Sequence, residues 1–199
     1  MNDKKIIFMG TPHIAAQHLQ YLIDNSLNII GVFTQPPRKK NRGMHIEESP
    51  VHQIAKKNNL QTFYPNSIDY SVIEKIKSLN PDIIIVVAYG IILPSQFLNI
   101  PKFGCINIHV SLLPRWRGAA PIEHALLEGD TKTGISIIKM SPKLDAGDIL
   151  HQVGIGISDD MYSDELEIAL TNLGKQTMLQ VLPKLFEDKT KSNKQDENK

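Results

Sequence analysis

The sequence has a single cysteine, and it lacks any apolar run that approaches the roughly 20 residues of a membrane-spanning helix. One cysteine excludes an internal disulfide framework and is typical of a protein in a reducing compartment. The first residues, MNDKK, precede only a short apolar run, so no secretory signal peptide is predicted. These absences predict a cytoplasmic protein with no membrane segment.

The sequence also lacks an excess of either positive or negative charge. The sequence has 22 lysines and arginines against 21 aspartates and glutamates, for a formal net charge of +1. Overall basicity therefore cannot draw the protein to nucleic acid, and any such contact must depend on a local patch. A GxGxxG fingerprint, a Walker lysine and an HExxH or Cys/His pattern are absent too, so neither a phosphate cradle nor a bound metal is predicted.

Short apolar runs alternate with segments of helical period along the chain. Residues 5–9, 28–34 and 83–88 have the composition of buried strands. The segments 12–24, 49–57 and 70–79 repeat apolar residues at helical spacing. This alternation predicts an α/β fold with parallel strands. Two further strands, 133–140 and 149–157, precede a long amphipathic helix over 163–186, in which Pro183 is expected to cause a kink or an early end.

The last residues differ in composition from the rest. From Glu187 the chain reads EDKTKSNKQDENK and has no apolar residue. Such a segment cannot bury enough surface to fold by itself. The length of 199 residues is enough for one domain with a substantial core. We predict one domain over residues 1–186 and a polar linker or disordered tail over residues 187–199.

The most informative stretch is GCINIHVSLLPRWRGAAPI, residues 104–122. Asn107 and His109 lie two residues apart in an apolar run, so a strand would present both side chains on one face. Buried Asn and His side chains are commonly bonded to backbone groups and carry no function. This strand, however, ends at a Ser-Leu-Leu-Pro turn and a basic, aromatic loop, and open α/β sheets bind ligands at the carboxyl ends of their strands. We therefore predict a functional site at this strand end.

The run NIHVSLLPRWRGAAPI closely resembles the active-site signature of the methionyl-tRNA formyltransferases. Its core, Asn-x-His followed by Ser-Leu-Leu-Pro, resembles the wider group of folate-dependent formyltransferases, and the extension WRGAAPI is specific to the methionyl-tRNA enzymes. The resemblance covers nearly all of residues 1–186. It implies a Rossmann-like α/β fold with a mostly parallel central sheet and helices on both faces. It covers only the catalytic domain, and we expect the family's usual C-terminal β-barrel of the oligonucleotide-binding type to be absent.

The resemblance also implies a catalytic trio of Asn107, His109 and Asp145. Asp145 stands in LDAGD, which matches a second family signature and by itself would be an ordinary turn aspartate. Formyl transfer to an amine passes through a tetrahedral oxyanion, to which an asparagine N–H can donate. The histidine can stabilise the same oxyanion and move a proton, and the aspartate can orient the histidine. The implied formyl donor is 10-formyltetrahydrofolate, and no metal is implied.

Two segments are implied to contact the folate. One follows the signature strand, and the other resembles the AYGxILP segment that lines the pterin pocket in the family. Composition alone makes the second segment the turn after a core strand. The implied contacts are Ser111, Leu112, Leu113 and Pro114 in the first segment, and Ile91, Ile92 and Leu93 in the second.

Residues 35–43, QPPRKKNRG, are basic and rich in residues that break regular structure. Composition alone favours a solvated surface loop. The resemblance implies instead a loop that enters the acceptor stem of initiator methionyl-tRNA and contacts its phosphates. Two glutamates at 47–48 depart from the family, which tends to continue with lysines. The implied tRNA contacts are Arg42, which matches the family's loop arginine, and Arg38, Lys39 and Lys40.

Other functions stay open. A formyltransferase for a small amine, such as an amino-sugar nucleotide or glycinamide ribonucleotide, would share Asn-x-His and the aspartate, but usually lacks the basic insert and the WRGAAPI extension. A domain that binds folate or tRNA with little turnover is the other alternative. Arg115 and Arg117 are ambiguous, since either could hold the folate tail, the tRNA terminus or a local carboxylate. We expect a monomer.

Overall fold

The computed structural model of the chain describes residues 3–40 and 45–196. The chain divides into two compact units, Met1–Cys105 and Ile106–Lys199. The elements of the first unit are β1 (Ile6–Gly10), α1 (His13–Asp24), β2 (Ile29–Phe33), β3 (Arg38–Lys40), β4 (His45–Glu47), α2 (Pro50–Lys57), β5 (Thr62–Phe63), α3 (Tyr70–Leu79), β6 (Ile83–Val87) and α4 (Ser95–Leu98).

Four strands of the first unit pair in parallel, in the order β5-β2-β1-β6. Every residue of β1 and β6 is buried, which accounts for their continuous apolar sequences, because a strand covered on both faces needs no polar alternation. Ser49 caps the start of helix α2, and its hydroxyl accepts the His52 N–H at 3.0 Å. The predicted α/β fold class is confirmed.

The prediction of an irregular loop over residues 35–43 is wrong in part. Strand β3 pairs antiparallel with β4, and Arg38 lies opposite Glu47. The two prolines precede the strand and remove no N–H from the pairing, and strand formation depends more on an available partner than on composition. Residues 41–44 lie outside the described residues.

The second unit continues from the end of the first. Its elements are β7 (Cys105–His109), α5 (Pro121–Leu127), β8 (Lys132–Lys139), β9 (Ile149–Gly156) and α6 (Ser163–Phe186). Strand β8 pairs antiparallel with both β7 and β9. Helix α6 has the predicted bounds and buries Leu166, Leu170 and Leu182. Pro183 lies in its last turns without ending the helix early. No helix in the ranges 3–40 and 45–196 is long and apolar enough to cross a membrane.

The polar segment after α6, predicted as a linker or disordered tail, is described as far as residue 196. Asn193 forms a two-way backbone bridge with Ile149, at 2.8 and 2.9 Å. The Ser192 hydroxyl donates to Asp148 at 3.2 Å. This part of the chain therefore returns to the start of β9, held by polar contacts rather than by apolar burial.

A buried polar cluster fixes the turn that follows β7. The Ser136 hydroxyl, on β8, donates to the Ser111 carbonyl at 2.6 Å and accepts the Leu113 N–H at 3.0 Å. Gln152, on β9, donates to the Leu113 carbonyl and to the Ser136 hydroxyl, both at 2.8 Å. Because Ser111 and Ser136 are fully buried, these backbone groups depend on the cluster for their hydrogen bonds.

Replacing Ser136 with alanine is expected to lower the free energy of unfolding by roughly 2–3 kcal/mol, because a buried N–H and a buried carbonyl lose their partner. Urea unfolding followed by circular dichroism measures the loss. The matched control is Ser158→Ala in an exposed turn, which should change stability by less than about 0.5 kcal/mol. If the Ser136→Ala midpoint equals that of the wild type, the cluster does not hold the turn.

Candidate active site

Strand β7 presents Asn107 and His109 on one face, as its period of two requires. Asn107 is 9% exposed and His109 is 6% exposed. Opposite them on β8 lie Ile138 and Ser136. The two polar side chains are therefore held on a paired, buried strand, where their positions are fixed better than they would be on a loop.

Asp145 reaches both of these side chains from the loop between β8 and β9. Its Oδ1 accepts the Asn107 side-chain N–H at 3.2 Å. Its Oδ2 lies 3.6 Å from His109 Nδ1 and accepts the Gly118 backbone N–H at 2.9 Å. The structure thus brings together the three residues that the sequence predicts as catalytic, and adds Gly118, which the sequence does not single out.

Two glycines allow this arrangement for different reasons. Gly118 has a φ of +90°, in the left-handed region that side chains disfavour. Gly147, two residues after Asp145, has no such φ, but a Cβ there would overlap the Lys139 carbonyl. The loop that carries Asp145 therefore approaches the end of β8 more closely than any other residue type would permit.

A backbone carbonyl fixes the His109 ring. His109 Nε2 lies 2.8 Å from the Trp116 carbonyl oxygen. A carbonyl can only accept, so Nε2 carries the proton in this hydrogen bond. The other ring nitrogen, Nδ1, is then the one that faces Asp145.

The basic loop after the turn, Arg115–Gly118, is anchored by Asp130. Arg115 donates to both carboxylate oxygens, at 2.9 and 2.7 Å, and Trp116 Nε1 donates to Oδ2 at 2.7 Å. The hydrogen bond from Arg115, followed by that from Trp116, lowers the pKa of Asp130. Three roles were left open for Arg115, and the structure shows one of them, the binding of a local carboxylate, that of Asp130. Arg117 is bound differently, with its guanidinium donating to the Gln195 side chain.

The predicted folate contacts near β7 divide into buried and accessible side chains. Ser111 is fully buried and donates to the Arg115 carbonyl at 2.6 Å, and Leu113 is 3% exposed. Leu112 and Pro114 are half-buried. A ligand at this turn can therefore touch the side chains of Leu112 and Pro114. The buried side chains of Ser111 and Leu113 stabilise the turn instead.

The other predicted folate segment lies in the first unit. Ile91 and Ile92 line a cleft of about 510 Å³ together with Arg38, Asn66 and Ser67. Ile92 is 87% exposed. Leu93 is buried and does not line this cleft. The cleft thus joins two of the predicted folate residues to one of the predicted tRNA residues.

The remaining tRNA residues are described only in part. Lys39 and Lys40 belong to β3, but their side chains, and the whole of Arg42, lie outside what the structure describes. Glu48, which departs from the family's lysines, pairs with Lys56 at 2.9 Å, and this hydrogen bond lowers the pKa of Glu48. That carboxylate is thus occupied at the start of α2.

The single cysteine, Cys105, is buried at the start of β7. Burial raises the pKa of the Cys105 thiol to about 12, so it stays protonated at neutral pH and is a poor nucleophile. Among residues 3–40 and 45–196, no group of three or more histidine, cysteine or acidic side chains is arranged to hold a metal ion.

Sequence comparison gives close relatives. The chain is 48% identical over 187 residues to a methionyl-tRNA formyltransferase of Francisella tularensis, covering 93% of this chain and 60% of the relative. A methionyl-tRNA formyltransferase of Ehrlichia canis is 50% identical over 181 residues, covering 89% of this chain and 60% of the relative. The chain therefore spans about 60% of the length of these curated relatives.

Structure comparison gives the same fold at lower identity. A phosphoribosylglycinamide formyltransferase from Anaplasma phagocytophilum superposes with a TM-score of 0.79 at 20% identity, covering 98% of this chain and 96% of its own. An N-formyltransferase from Helicobacter canadensis, solved with folinic acid and dTDP-3-aminofucose, has a TM-score of 0.73 at 18% identity, covering 98% and 68%. The family described as Formyl transferase matches residues 4–182. The chain belongs to the formyl transferase family.

Proposed function

We propose that this chain is the catalytic part of a methionyl-tRNA formyltransferase. It transfers the formyl group of 10-formyltetrahydrofolate to the amino group of methionine on initiator tRNA, in the cytoplasm, as a step of translation initiation. The observation that carries the formyl-transfer chemistry is the Asp145 carboxylate, which lies against both Asn107 and His109. The methionyl-tRNA acceptor is supported by the relatives. The relatives that bear this name are 48–50% identical to the chain.

The reaction needs little activation of its nucleophile. An α-amino group has a pKa of about 8 and an aminoacyl ester has a lower one, so much of the amine is neutral at physiological pH. The neutral amine attacks the formyl carbon and forms a tetrahedral oxyanion. Collapse of this intermediate breaks the bond to the folate nitrogen, which takes up a proton as it leaves. The site must therefore supply oxyanion donors and a route for one proton.

Asn107 is the oxyanion donor in this scheme. An ionised Asp145 only accepts, so one N–H of the Asn107 amide is directed at its Oδ1. The second N–H of the same nitrogen is then fixed in direction and can donate to the developing oxyanion. One such donor is typically worth about 3 kcal/mol of transition-state stabilisation.

His109 and Asp145 provide the proton route. Histidine is the side chain best suited to move a proton at neutral pH. With Nε2 bonded to the Trp116 carbonyl, a proton received at Nδ1 lies against Asp145 Oδ2. The carboxylate stabilises the charged ring that results, until the proton passes to the departing folate nitrogen.

Folate and tRNA contacts follow the predicted segments. The donor contacts the turn Ser111–Pro114, through Leu112, Pro114 and main-chain groups, and the segment Ile91–Leu93. The exposure of Ile92 supports this assignment, because covering a large apolar side chain removes it from water and so favours ligand binding. Arg38, Lys39, Lys40 and Arg42 contact tRNA phosphates, and the chain acts as a monomer without a membrane partner.

The acceptor is tested by supplying 10-formyltetrahydrofolate with charged initiator methionyl-tRNA, and in parallel with dTDP-3-aminofucose and glycinamide ribonucleotide. We expect formylation of the tRNA alone. Transfer to a small amine but not to tRNA would assign the chain to the second group of enzymes. If no acceptor is formylated while folinic acid still binds by calorimetry, the chain is a binding domain with little turnover.

Replacing Asn107 with alanine is expected to lower kcat for formyl transfer roughly 100- to 1,000-fold, as removal of one oxyanion donor does in other enzymes. The protein should stay folded, with a loss of roughly 1.5–3 kcal/mol in the free energy of unfolding, because the Asp145 carboxylate loses one of its donors. Single-turnover transfer with charged tRNA measures the rate. Asn172→Ala, on the exposed surface of α6, is the matched control and should keep the wild-type rate. An unfolded Asn107→Ala protein, or an unchanged kcat, would contradict the assigned role.

A further inference from the structure

We propose that Gln195 is a positioning residue for formyl transfer, which holds the loop carrying Asp145 against the loop carrying Arg117. The effect on turnover rests on the proposed function, whereas the effect on the loop does not. Gln195 lies in the all-polar segment after α6, for which composition predicts no ordered contact.

The side-chain amide of Gln195 uses its full hydrogen-bonding capacity. Its Nε2 donates to the Asp145 carbonyl at 2.7 Å and to the Gly147 carbonyl at 2.8 Å. Its Oε1 accepts from Arg117 Nε at 2.9 Å and from the second guanidinium nitrogen at 2.7 Å. Two donors thus meet two acceptors on one side, and two lone pairs meet two donors on the other. A glutamate at this position would place a carboxylate oxygen, which cannot donate, against the two carbonyl oxygens. It therefore cannot replace the amide of Gln195.

The backbone beside Gln195 is held in place independently of its side chain. Asn193, two residues earlier, exchanges two backbone hydrogen bonds with Ile149 at the start of β9. The Ser192 hydroxyl bonds Asp148. Gln195 is half-buried, whereas Lys194 and Asp196 on either side of it are exposed. The segment therefore points one polar side chain inward at a defined place.

Asp145 is hydrogen-bonded through both its main chain and its side chain. Gln195 bonds the main-chain carbonyl of Asp145, and the Gly118 N–H bonds its carboxylate. Asp145 has a φ of +47°, in the left-handed region that few non-glycine residues adopt, although aspartate tolerates it better than most. Arg117, the other partner of Gln195, directly precedes Gly118 in the chain. One amide thus joins the two loops whose contact sets the position of the Asp145 carboxylate beside Asn107 and His109.

The kinetic test uses the full chain with Gln195→Ala and Gln195→Glu. In both variants kcat for formyl transfer should fall roughly 10- to 100-fold. This is the loss expected when a catalytic group is displaced by up to about 1 Å. The KM values for donor and acceptor should stay within about twofold of wild type, since substrate-binding groups are untouched. Asn193→Ala is the matched control: it removes a neighbouring exposed side chain but keeps the backbone bridge, and its kcat should equal that of the wild type.

The structural test does not depend on activity. Amide hydrogen exchange in the ligand-free protein should be faster at Gly118 in Gln195→Ala than in wild type and Asn193→Ala, because the Asp145 carboxylate that accepts this N–H is no longer held. An unchanged kcat, or a loss confined to KM, would overturn the proposal. If the wild-type chain formylates no acceptor, the proposed function fails on its own terms. Exchange at Gly118 then decides: faster exchange supports the positioning role and unchanged exchange refutes it.

Discussion

The candidate site depends on one nearly buried carboxylate. The side chain of Asp145 is 10% exposed, and a charge removed from water is tolerated only where donors or an opposite charge surround it. Here the donors come from two places: the Asn107 amide on a strand and the Gly118 N–H on a loop. His109, on the same strand as Asn107, places Nδ1 3.6 Å from the carboxylate. A single acceptor shared in this way fixes the strand end and the loop relative to each other. The orientation of each group then follows from what the carboxylate can accept.

The rigidity around the carboxylate has two sources. On the strand side it comes from burial and buried hydrogen bonds: every residue of β7 is buried, and Ser136 and Gln152 bond Leu113 in the turn after it. On the loop side it comes from close approach and polar contact, at Gly147 against β8 and at Asp130 against Arg115. The polar groups of the first source are buried and hydrogen-bonded to one another, so loss of one partner is costly. In the second source the Arg115 side chain is more than half exposed, and its ion pair with Asp130 contributes correspondingly less.

The two sources also explain how far the sequence predicts the structure. Apolar periodicity predicted the strands, the bounds of α6 and the common face of Asn107 and His109, because burial acts on patterns that are local in sequence. Asp145 lies 38 residues after Asn107, and only the resemblance to a family placed the two together. The contacts of Gln195 escaped both approaches, since polar partners leave no periodic signal and a tail without apolar residues is typical of disorder. The β3–β4 hairpin escaped for a related reason: pairing, and not composition, makes the strand.

The proposed trio of Asn107, His109 and Asp145 does not by itself select an acceptor amine. The two solved structures, at 20% and 18% identity, share the fold, although the name of one gives phosphoribosylglycinamide and that of the other gives dTDP-3-aminofucose. The fold is therefore compatible with several acceptors, and selectivity among them depends on the site rather than on the fold. In this chain the trio and the contacts that hold it belong to the second unit, whereas Arg38 and the cleft with Ile91 and Ile92 belong to the first. The same reasoning explains why a tRNA-specific reading depends on relatives 48–50% identical over most of the chain, and not on the trio.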